Sequence, residues 1–371
     1  MKRRIACLCL LALLGCRKKS VPHTIGLALD VGGRGDQSFN DGALRGLEQM
    51  AAGLRYTAHG YEPLPEGEYQ LPPDLAALGR SFPHLPIPPP LVLSGKAQED
   101  YEPNLQLLVD QGAELVVAVG FMMEPAVRAV SARNPNAKFL LIDSPVLDAK
   151  GKPTQVPNVR AVVFRENEGS LLAGALAAAL SKSGKLGFVG GMQLPLIRKF
   201  EAGFRAGVRE VNPKVEVLVA YTGTFDDEKK GVEVGQDIYG RGCDIVFQAA
   251  GLDGLGVIKA AQQARRLVIG VDSDQAHVAP RNVLTSMVKH VDVAVYLAVK
   301  DVLEGRFSGG DLVLGLREGG VGLAPVGKMV PEAQREPALA QVERLREAII
   351  AGKLTAPATL DELSKFMAAR P

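Results

Sequence analysis

The chain has no tryptophan, four cysteines, five histidines and almost no surplus charge. Each shortage removes a class of function. The histidines (His23, His59, His84, His277 and His290) are scattered, and no His-Glu-x-x-His spacing is present, so no zinc-hydrolase helix is encoded. No Ser/His/Asp or Cys/His set stands out, and no glycine loop ends in Gly-Lys-Ser/Thr. The pattern Gly251-x-x-Gly254-x-Gly256 has the wrong spacing for a dinucleotide site. An enzyme is therefore not expected. The formal charge of +2 includes Lys2, Arg3 and Arg4; without them 40 basic side chains face 41 acidic ones, a balance of −1. Nucleic-acid binding lacks its electrostatic footprint. Beyond residue 16 no apolar run exceeds seven residues, far short of the roughly twenty that span a bilayer as a helix.

The N-terminus carries what the body lacks. Lys2-Arg3-Arg4 precede a short apolar run, and Leu13-Leu14-Gly15-Cys16 closes it. Basic, apolar and small-residue regions in that order form a secretory signal, here with a bacterial lipoprotein cleavage pattern. The expectation is a signal peptide over 1–15, a lipidated tether over 16–23 and a protein anchored through Cys16. Two or more acyl chains anchor stably, where one holds only marginally. Such a chain is exported and sits on the cell membrane or outer membrane; Arg17 after the lipidated cysteine favours the latter. Cys7 and Cys9 leave with the signal, so Cys243 stands alone without a disulfide. It precedes Ile245-Val246-Phe247 and reads as a buried small hydrophobe.

Short apolar runs recur at 25–31, 91–93, 115–119, 139–142, 159–164, 186–189, 215–219, 245–248 and 267–271. Most are rich in Val or Ile without polar alternation, which predicts strands of parallel sheets buried on both faces. Helical patterns lie between them at 42–53, 101–111, 124–133, 166–181, 195–211, 226–239 and 253–264. The alternation predicts an α/β fold of right-handed βαβ units, whose ligands bind beyond the carboxyl ends of the strands. The segment 60–90, with nine prolines, breaks the rhythm and reads as an irregular surface excursion.

The first strand–helix junction runs Asp30-Val31-Gly32-Gly33-Arg34-Gly35-Asp36-Gln37-Ser38-Phe39-Asn40-Asp41-Gly42. Its glycines allow close backbone approach. Phe39 is either a staple under the helix or a flat surface for a planar ligand. This junction resembles the signature of the basic membrane protein family of nucleoside-binding lipoproteins. The resemblance continues through Asp100-Tyr101-Glu102-Pro103-Asn104-Leu105, Val119-Gly120-Phe121-Met122 and Gly187-Phe188-Val189-Gly190-Gly191-Met192. Further blocks are Phe200-Glu201-Ala202-Gly203-Phe204, Gly223-Thr224-Phe225-Asp226-Asp227, Gln248-Ala249-Ala250-Gly251, Gly270-Val271-Asp272-Ser273-Asp274-Gln275 and Leu284-Thr285-Ser286-Met287-Val288-Lys289. The Pro-rich segment departs from the family pattern.

The resemblance implies a type I periplasmic-binding-protein fold, two doubly wound parallel-sheet lobes around a ligand cleft. Crossings between lobes are expected near 144–157, 274–281 and 305–312. Lobe one would then comprise 24–143 plus about 275–305, and lobe two about 144–274 plus 306–371. The implied function is capture of a purine nucleoside for the permease and ATPase subunits of an ABC-type importer, by a monomer without cofactor or metal. Phe39 and Phe225 would sandwich the base. Asp30, Asp36, Asp143 and Asp272 would accept hydrogen bonds from base or ribose, Lys289 would donate to a ribose oxygen, and Gly251 would admit the sugar. Asp30, Asp143 and Asp272 have a second reading as helix caps, Asp36 as a loop brace and Lys289 as a solvated charge. A sugar or other small molecule on the same fold is the alternative ligand, and a surface adhesion lipoprotein a further one.

Overall fold

A computed structural model describes residues 23–369 apart from 66, 70 and 78. The signal peptide, Cys16 and most of the tether lie outside the described residues. Fourteen strands are described: β1 (Ile25–Leu29), β2 (Leu54–Thr57), β3 (Gly60–Pro63), β4 (Leu91–Ser94), β5 (Leu115–Val119), β6 (Lys138–Ile142), β7 (Val159–Phe164), β8 (Lys185–Gly190), β9 (Glu216–Tyr221), β10 (Ile245–Ala249), β11 (Leu267–Asp272), β12 (Val283–Lys289), β13 (Gly310–Leu314) and β14 (Val321–Leu323). Two six-stranded sheets form, in the orders β13-β7-β6-β5-β1-β4 and β14-β12-β11-β10-β8-β9. The first is parallel throughout; the second is parallel except for β14. Strands β1, β5 and β10 are buried at every residue, which is why their sequences show no polar alternation. Each fully buried Val, Leu or Ile there contributes about 1.5–3 kcal/mol of transfer free energy.

The lobe boundaries differ from the sequence expectation. Strand β7 belongs to the first sheet, β12 to the second and β13 to the first again. The chain therefore passes between lobes at Arg165, at His290 and over 315–320, each at the end of a strand. The expected crossings at 144–157, 274–281 and 305–312 are irregular excursions within a lobe or the approach to β13. The resemblance implied only their approximate places, and at Arg165 and His290 the true crossings are single residues that leave no mark in the sequence. Helix Val291–Leu303 packs on the first lobe, against the helix that begins at Phe39. Helices Glu332–Ile350 and Leu360–Ala368 pack on Glu166–Leu180 and Pro195–Val211 of the second. Helices Glu166–Leu180 and Pro195–Val211 touch backbone to backbone, because side chains at Gly174, Gly203 and Gly207 would collide with Phe204 O, Asn167 O and Leu171 O. Cys243 is buried within the second lobe.

The Pro-rich segment is more ordered than its composition suggests. It opens with β3, the second strand of the β2–β3 hairpin, includes the short helix Pro73–Ala77 and buries Leu75. Leu85 N–H donates to Ala51 O at 2.7 Å, and Tyr296 Oη donates to Pro83 O at 2.7 Å. Its prolines limit regular structure, as expected, but buried Leu75 and these two hydrogen bonds tie the segment down at several points.

Candidate functional site

The carboxyl ends of both sheets converge on one small cavity, the kind of concave setting in which small molecules bind. All eight residues singled out from the sequence line it: Asp30, Asp36, Phe39, Asp143, Phe225, Gly251, Asp272 and Lys289. Asp30 follows β1, Asp143 follows β6, Asp272 ends β11 and Lys289 ends β12. Asp143 (φ 71°) and Asp272 (φ 62°) adopt the left-handed backbone that non-glycine residues rarely take. This turn at the strand exit aims both carboxylates at the cleft, and strained residues of this kind cluster at functional sites.

Lys289 is buried at the junction of the lobes, 3 % exposed, so the solvated-charge reading does not hold. Its ammonium lies 2.7 Å from Asp143 Oδ2, 3.5 Å from Asp272 Oδ1 and 4.0 Å from Glu166 Oε1. The rings of Phe39, Phe164 and Phe200 surround it at 4.6, 5.6 and 5.6 Å. Burial works against the ammonium, yet Asp143, Asp272 and Glu166 hold its pKa above the usual lysine range. Burial also pushes Asp143 up to about 6; Lys289 pulls it down, but Glu166 and Asp272 share that one cation and push back. Neither Asp143 nor Asp272 caps a helix. Asp143 Oδ1, Asp272 Oδ1 and Glu166 Oε1 are buried and accept no hydrogen bond within the protein. Buried acceptors are normally satisfied, and of these three residues Asp143 and Asp272 line the cavity.

The other end of the cavity is built from the first loop. Asp30 Oδ1 accepts from Gly32 N at 3.0 Å and Asn40 Nδ2 at 2.7 Å, and burial raises its pKa. Asp36 accepts from the backbone N–H of Ser38, Asn40 and Asp41 at 2.9, 2.8 and 3.0 Å and from Asn40 Nδ2 at 3.1 Å. It therefore holds the loop and the start of the helix, while also lining the cavity. Burial pushes its carboxyl up to about 7 against the pull of those N–H groups.

Phe39 stands at the helix start, half-buried and facing the cavity. Phe225 comes from the opposite lobe, and its ring rests on Gly191, where a Cβ would lie 2.2 Å from it. Gly251 (φ 56°) lies behind Phe225, its Cβ position 3.2 Å from Phe225 O. Phe121, Asn40, Leu196, Ile197 and Phe200 complete much of the wall and were not among the chosen residues. Phe121 had a signal, since it follows β5 through Gly120, and its ring meets Phe225 edge-on at 6.5 Å. Leu196, Ile197 and Phe200 sit on a helix whose apolar spacing reads as ordinary core. Gly254 and Gly256 serve packing: a side chain at either would strike Gln248 or Glu228 O.

The lobes touch around the cavity. Ser38 Oγ donates to Asp272 Oδ2 at 2.7 Å, Ser273 Oγ donates to Ser38 O at 3.0 Å, and Gln275 Nε2 donates to Gln37 O at 3.1 Å. Hydrogen bonds thus join the two lobes at the rim of the cavity.

A model of the Bmp family, described as ABC transporter substrate-binding protein PnrA-like, matches residues 24–359. The chain belongs to this family. Basic membrane protein A2 of Borrelia garinii subsp. bavariensis is 34% identical over 282 residues, covering 75% of this chain and 81% of its own length. A CD4+ T-cell-stimulating antigen of Listeria monocytogenes is 30% identical over 359 residues, covering 92% and 89%. A solved ABC transporter solute-binding protein from Aeropyrum pernix K1 matches with a TM-score of 0.73 at 28% identity, over 94% of this chain and 100% of that one. This Bmp-family protein is thus a substrate-binding component of an ABC transporter and not an enzyme; such proteins are exported and work with transporter subunits. No helix among the described residues is long and apolar enough to cross a membrane.

Proposed function

We propose that this substrate-binding protein captures a purine nucleoside between its lobes and hands it to its importer. One observation carries the reading: phenylalanines from opposite lobes, Phe39 and Phe225, line the same cavity as Asp143 and Asp272, each with one buried carboxylate oxygen that accepts no hydrogen bond within the protein. A planar base between rings gains about 0.5–1.5 kcal/mol per pair beyond burial. A ribose diol supplies the donors that Asp143 and Asp272 lack, and hydrogen bonds to a carboxylate are about twice as strong as neutral ones. Asp30 accepts from the base, Lys289 donates to a ribose oxygen, Gly251 leaves room beside Phe225, and Asp36 sets the loop. The rings belong to different lobes, so a ligand that touches both favours the closed state by its differential affinity.

The cavity also selects against charge. Four carboxylates and one ammonium line it, so a neutral nucleoside fits where a phosphorylated one is repelled. The anchor is proposed from Leu13-Leu14-Gly15-Cys16: the Cys16→Ser form should lose acyl labelling and move to the aqueous phase, and membrane retention would end that part of the account. Native mass spectrometry of protein purified without refolding tests the ligand. Release of a purine nucleoside is expected; release of a sugar would overturn the reading.

A further inference from the structure

The loop that brings Asp36 and Phe39 to the cleft turns through three residues with left-handed backbone. Gly33 (φ 60°), Gly35 (φ 100°) and Gln37 (φ 53°) all adopt left-handed backbone, and a side chain at Gly33 or Gly35 would meet nothing within 4 Å. At the tip between those glycines stands Arg34. Its Nη1 and Nη2 donate to Glu48 Oε2 and Oε1 at 3.0 and 2.7 Å, a two-pronged pair with a carboxylate that is nearly buried. Its guanidinium also lies 4.5 Å over the ring of Tyr56. Tyr61 Oη donates to the same Glu48 Oε1 at 2.7 Å. Tyr56 and Tyr61 face each other across the β2–β3 hairpin, ring edge to face at 5.1 Å. They belong to the segment at and around the Pro-rich excursion, whose composition gave it no role.

We propose that this hairpin is a brace for the ligand loop. Tyr56 and Tyr61 are positioning residues that act through Arg34 and Glu48 to keep Asp36 and Phe39 in binding geometry. The inference rests on the reading of the cleft as the ligand site. The hairpin is itself fixed: Leu64 N–H donates to Gly53 O at 2.9 Å, and Leu85 N–H to Ala51 O at 2.7 Å, so the excursion is tied to the last residue of the helix that bears Glu48 and to the turn just after it. A planar arginine fork suits this post better than lysine, because it pairs with a carboxylate and stacks on a ring at once. The rival account is a loop that supports itself. Asp30 holds Gly32 N, and Asp41 holds Gly35 N and Gln37 N at 2.8 and 3.0 Å. The two accounts differ in what happens when the brace is cut.

Hydrogen exchange of the unliganded full chain separates them. Arg34→Ala and Tyr56→Ala should speed amide exchange over 32–38 several-fold while the core strands exchange as before. Apparent affinity scales with the fraction of loop in the competent state. The Kd for guanosine should therefore rise about three- to tenfold in both variants. Tyr56→Phe keeps the ring face and should match the parent; Arg34→Lys loses the fork and should resemble Arg34→Ala. Unchanged exchange over 32–38 in both alanine variants overturns the brace, as does equal loss in Tyr56→Phe and Tyr56→Ala. If the parent protein binds no nucleoside at all, the cleft reading falls, while loop exchange still decides whether the hairpin orders the loop.

Discussion

At Lys289 a lone ammonium would cost several kcal/mol to bury. Three carboxylates and three aromatic rings make its position tenable, and they tie the ligand cleft to the fold. The phenylalanines are less entangled and offer the cleaner test. Phe39→Ala and Phe225→Ala should each weaken nucleoside binding by about 1–3 kcal/mol, as stacking and burial are lost together. Calorimetry reads the loss, and the melting temperature without ligand should shift little. If Phe39→Ala unfolds the protein and spares affinity, the ring is a staple. Asp272 gives a sharper discrimination. Asp272→Ala should cost about 1.5–3 kcal/mol against a ribonucleoside, the worth of a charge-assisted bond, and far less against its 2′,3′-dideoxy form. Equal losses would remove the diol from the account.

At the scale of elements, the helix from Phe39 through Ala51 and the helix Val291–Leu303 are joined by one buried pair. Arg45 Nε and Nη2 donate to Asp292 Oδ2 at 3.0 and 2.9 Å, and Gly46 leaves space for the Asp292 backbone, where a Cβ would sit 2.4 Å from Asp292 O. Burial opposes the charge on Asp292, but Arg45 and His290 hold its carboxyl below the usual range. A carboxyl depressed in the folded state lends stability above its unfolded pKa of about 4 and loses it as pH falls further, since the unfolded chain takes up the proton first. Thermal midpoints should therefore drop below about pH 4, and Asp292→Asn should flatten that drop while costing about 3–5 kcal/mol near neutrality by stranding Arg45. A parent midpoint constant from pH 5 to 3 would contradict this role.

Elements also show what could be read in advance. Buried parallel strands such as β5 announce themselves through Leu115-Val116-Val117-Ala118-Val119, and the strand-exit rule leads from them to Asp143 and Asp272. Strand β12 is buried at every position too, but Thr285, Ser286 and Lys289 interrupt its apolar run. It was legible only as a family block. The lobe crossings left no mark because Arg165 and His290 are single residues between a strand and a helix. Phe200 and Ile197 were hidden because a helix face turned to a cavity has the same spacing as one turned to a core.

The whole molecule repeats one plan twice without a repeated sequence. Matched position by position, β6 corresponds to β11 and β7 to β12. Asp143 and Asp272 thus hold equivalent places at the ends of equivalent strands, one from each lobe, with Lys289 from β12 between them. The Arg34–Glu48 brace and the Ser38–Asp272 hydrogen bond add contacts that hold the first loop in place and against the far lobe. A cleft so arranged should respond to ligands that carry an aromatic plane, hydroxyl donors and no net charge. Titration calorimetry with guanosine, inosine, adenosine, uridine, ribose, galactose and a purine 5′-monophosphate tests that directly. A purine nucleoside should bind tightest, with the free sugars and the monophosphate each at least about a hundredfold weaker, nearly 3 kcal/mol. Galactose or ribose binding more tightly than every nucleoside, or the monophosphate matching its parent nucleoside, would contradict the account.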